Sequence, residues 1–171
     1  MASVDYSSML KEGYVRVQRD YPVDYVPACF GCSPTNPIGM RLQFFTKPGD
    51  KYVVTRYVVE KHYCGFPAFA HGGIIGLIFD EVMAYTTYNV FKKFGLTKQI
   101  EMKFIKPVLI GKPMFIRGWV HEVEEKGKKR YVNMEAELYE GNDETGKLCA
   151  KSNGIYVIPP DETLSEGLKE N

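Results

Sequence analysis

The sequence predicts an α+β domain in which an antiparallel sheet of about six strands wraps round one long helix. Three observations predict it. Residues 70 to about 93 run without an internal proline and are apolar nearly all round from Ile74 to Ala84, as a helix enclosed by other elements must be. Two strand-like segments precede this stretch and four follow it. The turns among the last four are short and polar, which suits antiparallel hairpins, because parallel strands need crossovers of about a dozen residues or more.

Taken in order, residues 1–27 are punctuated by Pro22 and Pro27 and carry Tyr6, Tyr14, Tyr21 and Tyr25, so they read as an extension lying over the domain. The domain proper is expected over 28–159. Residues 29–39 hold two prolines and two glycines and form a loop. Residues 40–45 alternate in polarity, Pro48-Gly49-Asp50 makes a turn, and residues 52–59 are rich in β-branched and aromatic side chains, which together give a hairpin. Residues 62–70 form a loop containing Gly65 and Pro67, and the helix then runs until Gly95 stops it. In the next segment Ile100, Met102 and Phe104 alternate with polar residues, and residues 114–120 are mostly apolar. Val132, Met134, Ala136 and Leu138 alternate in turn, and residues 149–158 close the set. Lys126-Gly127-Lys128 and residues 141–146 are the hairpin turns, and residues 160–171 are a polar tail.

A chain of 171 residues with 44% apolar side chains has material for one sizeable core, hence one domain. Basic and acidic residues nearly balance, 22 against 21, which removes the electrostatic case for nucleic acid or an anionic membrane surface. The N-terminus lacks the basic and then apolar blocks of a secretory signal, and no apolar run approaches the ~20 residues that span a bilayer. A cytoplasmic protein is expected. Cys29, Cys32, Cys64 and Cys149 are too sparse for a disulfide scaffold, so reduced thiols are expected.

The residues that packing does not explain are Asp80 and Glu81, adjacent carboxylates inside the apolar helix. They point about 100° apart, so only one can face a site. Asp80 shares its stripe with Gly73, Gly76, Ala84 and Thr87, which leaves room beside it. Glu81 shares its own with Leu77, Ile78, Tyr85 and Tyr88, and reads as structural or pocket-lining. At the helix start, His71-Gly72-Gly73 offers unsatisfied N–H groups at the positive end of the helix dipole, with no side chains on the glycines to hold a ligand off. His71 reads as a hydrogen-bonding residue at the helix start rather than a base. Cys29 and Cys32 have the spacing of half a zinc site, but Cys64, Cys149, His62 and His71 provide no second close pair, and no metal is expected. Pro34 and Pro37 argue against a redox Cys-x-x-Cys opening a helix. Cys64 reads as a small buried residue.

On these residues the sequence resembles the hotdog-fold acyl-CoA thioesterases, in particular the branch typified by the phenylacetate-pathway thioesterase. The resemblance covers about residues 27–159. It rests on Cys29-Phe30-Gly31-Cys32 with Asn36-Pro37-Ile38-Gly39-Met40, on His71-Gly72-Gly73 with an acidic residue nine positions after the histidine, and on Phe104-Ile105-Lys106-Pro107-Val108-Leu109-Ile110-Gly111. It implies hydrolysis of a coenzyme A thioester to free acid and CoA, no cofactor or metal, and assembly as dimers or dimers of dimers. It implies roles as well: Asp80 as the catalytic carboxylate, Gly72 as the residue whose N–H polarises the thioester carbonyl, and Thr97 as a hydroxyl that orients water. His71, Gly73, Cys64 and Gly65 would then border the substrate, with Cys64-Gly65 standing where many members carry Asn or Gln. Lys128, Lys129 and Arg130, in an otherwise solvated hairpin, become weak candidates for the CoA phosphates. An acyl-CoA-binding protein of the same fold without turnover remains the alternative.

A thioester carbonyl under attack needs N–H donors aimed at its oxygen and a carboxylate that activates water or attacks directly. Gly72 and Asp80 lie eight residues apart, ~12 Å of helix rise. If both act on one carbonyl, they come from two subunits whose helices run antiparallel, which predicts a two-fold dimer with shared sites.

Overall fold

The computed structural model describes residues 6–20 and 28–160. Before the long helix come α1 (Ser7–Lys11), β1 (Val15–Arg16), β2 (Phe45–Thr46) and β3 (Tyr52–Val58). A 3-10 turn (Lys61–Tyr63), β4 (Cys64–Phe66) and β5 (Phe69–Ala70) lead into α2 (Gly72–Phe91). Then follow β6 (Leu96–Phe104), β7 (Pro113–Lys126), β8 (Lys129–Glu140) and β9 (Lys147–Ile158). Seven strands make one antiparallel sheet in the order β1-β2-β3-β7-β8-β9-β6, and β4-β5 form a separate hairpin. The architecture is the α+β one expected, a sheet curled round α2.

Alternation places the core. In β8, Val132, Met134, Ala136 and Leu138 are all buried while the residues between them are half-exposed. In β7, Met114 and Ile116 turn towards the helix, and Phe115 turns to the opposite face. From α2, Ile75, Ile78, Phe79 and Val82 descend on that core at the spacing of one helical face. Gly118 of β7 lets the helix come close: a Cβ there would lie 3.2 Å from Thr86 Oγ1 and 3.4 Å from a Val82 methyl. Thr86, buried, donates to the carbonyl of Val82 at 2.7 Å, which satisfies its hydroxyl without a break in the helix. Phe44 stacks on Tyr85 of α2 at 4.1 Å between ring centroids and is 1% exposed. Phe44→Ala is expected to cost about 3–5 kcal/mol, measured by denaturant unfolding.

The opposite face of the sheet carries a smaller cluster of Met9, Phe45, Val54 and Phe115, capped by α1. Arg56 donates to both carboxylate oxygens of Glu12, at 2.8 and 2.7 Å, and holds that carboxyl below its ordinary range. Residues 6–14 thus pack on this face of the sheet. Pro22, Pro27, Tyr21 and Tyr25, and the tail from residue 161, lie outside the described residues.

Four local expectations differ. The strand expected over 40–45 shrinks to Phe45–Thr46, because the loop takes its backbone donors first: Met40 N–H donates to the Phe30 carbonyl at 2.8 Å and Leu42 N–H to that of Gly31 at 2.9 Å. Within the expected loop 62–70 a small hairpin forms. The expected strand 114–120 continues to Lys126, making one long β7–β8 hairpin that turns at Gly127 with φ 62°. The helix ends at Lys92, which adopts φ 55° and donates from its N–H to the Tyr88 carbonyl, rather than at Gly95. Among the described residues, no helix is long and apolar enough to cross a membrane.

Candidate active site

The N-terminus of α2 is set by what precedes it. Ala70 N–H donates to the Val108 carbonyl at 2.8 Å and His71 N–H to that of Tyr63 at 2.9 Å, so the chain enters the helix extended, with His71 at φ −65°, ψ 134°. His71 caps the helix as expected: its Nδ1 accepts from Gly73 N–H at 2.9 Å. Its carbonyl accepts from Ile74 and Ile75, at 3.0 and 3.2 Å. Gly72 N–H is left without a partner among the described residues. It opens on a groove of about 380 Å³ lined by Phe69, Ala70, Ile75, Phe104, Lys106 and Val108.

Two turns further on, Asp80 is half-buried. Its Oδ1 accepts from Thr97 Oγ1 at 2.7 Å and from the Tyr156 hydroxyl at 2.7 Å, and that hydroxyl also lies 3.0 Å from the Asp80 carbonyl oxygen. Tyr156 is fully buried in β9, and burial together with the Asp80 charge pushes its pKa up, so it stays a donor. The family resemblance implies a role for Thr97 but none for Tyr156, which alternation hides among the core residues of β9. The available signal was general: a buried tyrosine hydroxyl needs a partner.

Helix α2 and strand β6 lie side by side in opposite directions. Gly72 abuts Phe104, Gly76 abuts Met102, and Asp80 meets Thr97. His71, Gly73, Cys64 and Gly65 gather at the Gly72 end. Gly65 packs beneath His71, where a Cβ would lie 3.0 Å from the His71 Cα, and Cys64 is exposed rather than buried as expected, since the β4–β5 hairpin holds it clear of the core. The structure thus forms two half-sites on one helix, ~12 Å apart by helix rise.

Glu81 faces away from Asp80, into the Cys29-to-Cys32 loop, and is 9% exposed. Cys29 Sγ and Glu81 Oε1 are hydrogen-bonded at 2.9 Å. Burial pushes the Glu81 carboxyl up to about 8, and the neighbouring Cys29 sulfur adds to the shift. The Cys32 thiol, followed by Glu81 and the N–H groups of Cys32 and Gly31, holds Cys29 down at about 5. Lys128, Lys129 and Arg130 line one groove with Lys93, although Arg130 is also paired with Glu125 at 3.0 Å.

No family model matches the chain. An uncharacterized protein of Schizosaccharomyces pombe is 28% identical over 128 residues, 74% of this chain and 71% of that one. A candidate esterase of Sulfurisphaera tokodaii is 32% identical over 88 residues, 52% of this chain and 60% of that one. Among solved structures, a thioesterase superfamily protein superposes with TM-score 0.61 at 20% identity, over 75% of this chain and 62% of that one. A hypothetical thioesterase from Streptococcus pneumoniae, determined with coenzyme A, gives 0.53 at 17% identity, over 64% and 79%. The PaaI protein of the E. coli phenylacetic acid degradation operon gives 0.51 at 18%, over 61% and 74%. At these identities the likeness is one of architecture: the chain has the hotdog fold of the thioesterase superfamily, with phenylacetate-degradation proteins among its structural neighbours.

Proposed function

We propose that residues 28–159 form an acyl-CoA thioesterase, converting a coenzyme A thioester and water to a free acid and CoA. One observation carries the reading: a carboxylate fixed by two hydroxyls in the middle of the helix, and a free N–H opening on an apolar groove at its start. Both hydroxyls bind Oδ1, which leaves Asp80 Oδ2 to take a proton from water as the water attacks the carbonyl carbon. The oxyanion is held by Gly72 N–H. When the carbonyl re-forms, the C–S bond breaks and the proton on Asp80 passes to the departing thiolate. Direct attack by Asp80, giving an anhydride that water then cleaves, uses the same groups. The groove beside Gly72 suits an apolar acyl group.

The half-sites meet in a two-fold dimer. Strand β6 is an edge of the sheet with nine residues, and Leu96 and Phe104 on it are exposed large apolar side chains. Antiparallel pairing of β6 with its copy about Ile100 sets residue 104 opposite residue 96. That brings the Gly72 end of one helix to the Asp80 end of the other. A dimer, or a dimer of dimers, thus supplies two complete sites. We place the protein in the cytoplasm, in keeping with its four free thiols.

The test is the purified protein against short, medium, long and aryl acyl-CoAs, with free thiol release as the readout. Hydrolysis of none of them sinks the enzyme. Saturable binding without turnover supports instead an acyl-CoA-binding module, the second reading, which is favoured by the absence of an amide side chain at Cys64-Gly65. Within the enzyme, Tyr156→Phe removes a hydrogen bond to a charged oxygen, and kcat is expected to fall about tenfold, with KM little changed and a lower Tm.

A further inference from the structure

The Cys29-to-Cys32 loop takes no part in the hydrolytic chemistry, yet it is built tightly against α2. Ser33 N–H donates to the Cys29 carbonyl at 3.1 Å, which folds the segment into one turn. Bonds from Met40 and Leu42 to Phe30 and Gly31 pin that turn in place. Gly31 lies so close to Glu81 that a Cβ there would stand 2.5 Å from Oε1, so the glycine admits the carboxylate to the turn. The two sulfurs and the carboxylate oxygen lie within 4.8 Å of one another. In a tetrahedral zinc site such donors stand about 3.5–3.8 Å apart, so seating an ion lengthens the 2.9 Å edge between Cys29 Sγ and Glu81 Oε1 and moves the donors by no more than about 1 Å.

A second observation points to a missing partner. Glu81 Oε2 is buried and has no hydrogen-bond partner among the described residues, a condition native proteins rarely leave uncompensated. Access exists too. Cys32 lines a surface cavity of about 260 Å³ with Arg19, Ser33 and Tyr85, so one donor of the cluster borders open space.

We propose that Cys29, Cys32 and Glu81 form a binding site for a thiophilic divalent cation, zinc by donor chemistry, that clips the 28–42 loop to α2 one residue beyond Asp80. Two thiolates and one carboxylate are a donor set that magnesium and calcium do not favour. Binding releases the thiol protons to solvent, and the one negative charge left by three anionic ligands and a divalent ion faces Arg19 across the cavity. Cysteine and histidine spacing alone could not reveal the site, because its third donor is a carboxylate from the middle of the helix. It shares no donor with the Asp80 site, so it stands or falls separately from the thioesterase reading.

The test uses the full chain, reduced and stripped of metal, titrated with Co²⁺ as a spectroscopic probe and then with Zn²⁺. One Co²⁺ per chain is expected, with tetrahedral visible bands and a sulfur-to-cobalt charge-transfer band that Zn²⁺ bleaches, and Zn²⁺ is expected to raise Tm. Cys29→Ser and Cys32→Ser should each remove the charge-transfer intensity of one thiolate, and the double variant all of it. Glu81→Gln should weaken binding by ~10–100-fold or more and shift the visible bands. Cys64→Ser, Cys149→Ser and Asp80→Asn should leave the spectrum unchanged. Circular dichroism of each metal-free variant separates loss of the site from loss of the fold. No charge-transfer band in the reduced wild-type protein overturns the proposal, and so does a band that survives the double variant.

Discussion

Asp80→Asn is expected to lower kcat for thioester hydrolysis by about 10³-fold while leaving the helix and the fold intact. The substitution is nearly isosteric, and its amide oxygen still accepts from Thr97 Oγ1 and the Tyr156 hydroxyl, each now 2.7 Å from Oδ1. The side chain therefore stays where it is. What it loses is the capacity to take a proton from water or to attack carbon, because an amide nitrogen has no available lone pair. The cost to stability is small, since no buried donor is orphaned. Thiol release from the best substrate of an acyl-CoA panel measures the loss, and circular dichroism with a melting curve checks the fold. Full turnover by Asp80→Asn removes Asp80 from the chemistry. A residual rate near wild type divided by 10³ is what oxyanion stabilisation and substrate positioning alone would sustain.

The features that were legible in the sequence are the periodic ones. An all-round apolar stretch of some twenty residues without proline reads as an enclosed helix, and α2 spans Gly72–Phe91. The strands expected over 132–138 and 149–158 fall within β8 and β9, and Val132, Met134, Ala136 and Leu138 turn inward as their alternation implies. Among the carboxylates, the small residues beside Asp80 distinguished it from Glu81, and the two are indeed directed to different surroundings: Asp80 to Thr97 and Tyr156, Glu81 to Cys29. Features set by contacts distant in sequence stayed hidden. Tyr156 meets Asp80 across 76 positions, and Cys29 meets Glu81 across 52. No local pattern encodes either pairing. At 40–45 alternation implies more strand than forms, because side-chain polarity says nothing about which backbone groups a neighbouring loop captures. Lys92 ends the helix in a left-handed conformation that a lysine rarely adopts, so residue type favours Gly95 as the stop although the chain turns three residues earlier.

The second large effect tests a backbone atom. Gly72→Pro is expected to lower kcat by about 10²–10³-fold with helix and Tm preserved. Gly72 is the first residue of α2, the one helical position at which proline is favoured, and its N–H serves no partner among the described residues. His71 at φ −65°, ψ 134° already has the extended conformation required before proline. A Cβ at Gly72 would rest 3.4 Å from the Phe104 ring, a contact shared by Gly72→Ala, which keeps the N–H and is expected to stay within about tenfold of wild type. The proline–alanine difference therefore isolates the donor from the added bulk. Mixing Gly72→Pro with Asp80→Asn then tests where the two groups meet. If one carbonyl takes its donor and its carboxylate from different subunits, a mixed dimer holds one site with both defects and one with neither. Equal mixing, after subunit exchange, should thus restore about one quarter of wild-type activity, since half the dimers are mixed and each has one working site. If both groups came from the same subunit, every site in the mixture would carry one defect, and the activity would remain at the level of the inactive parents.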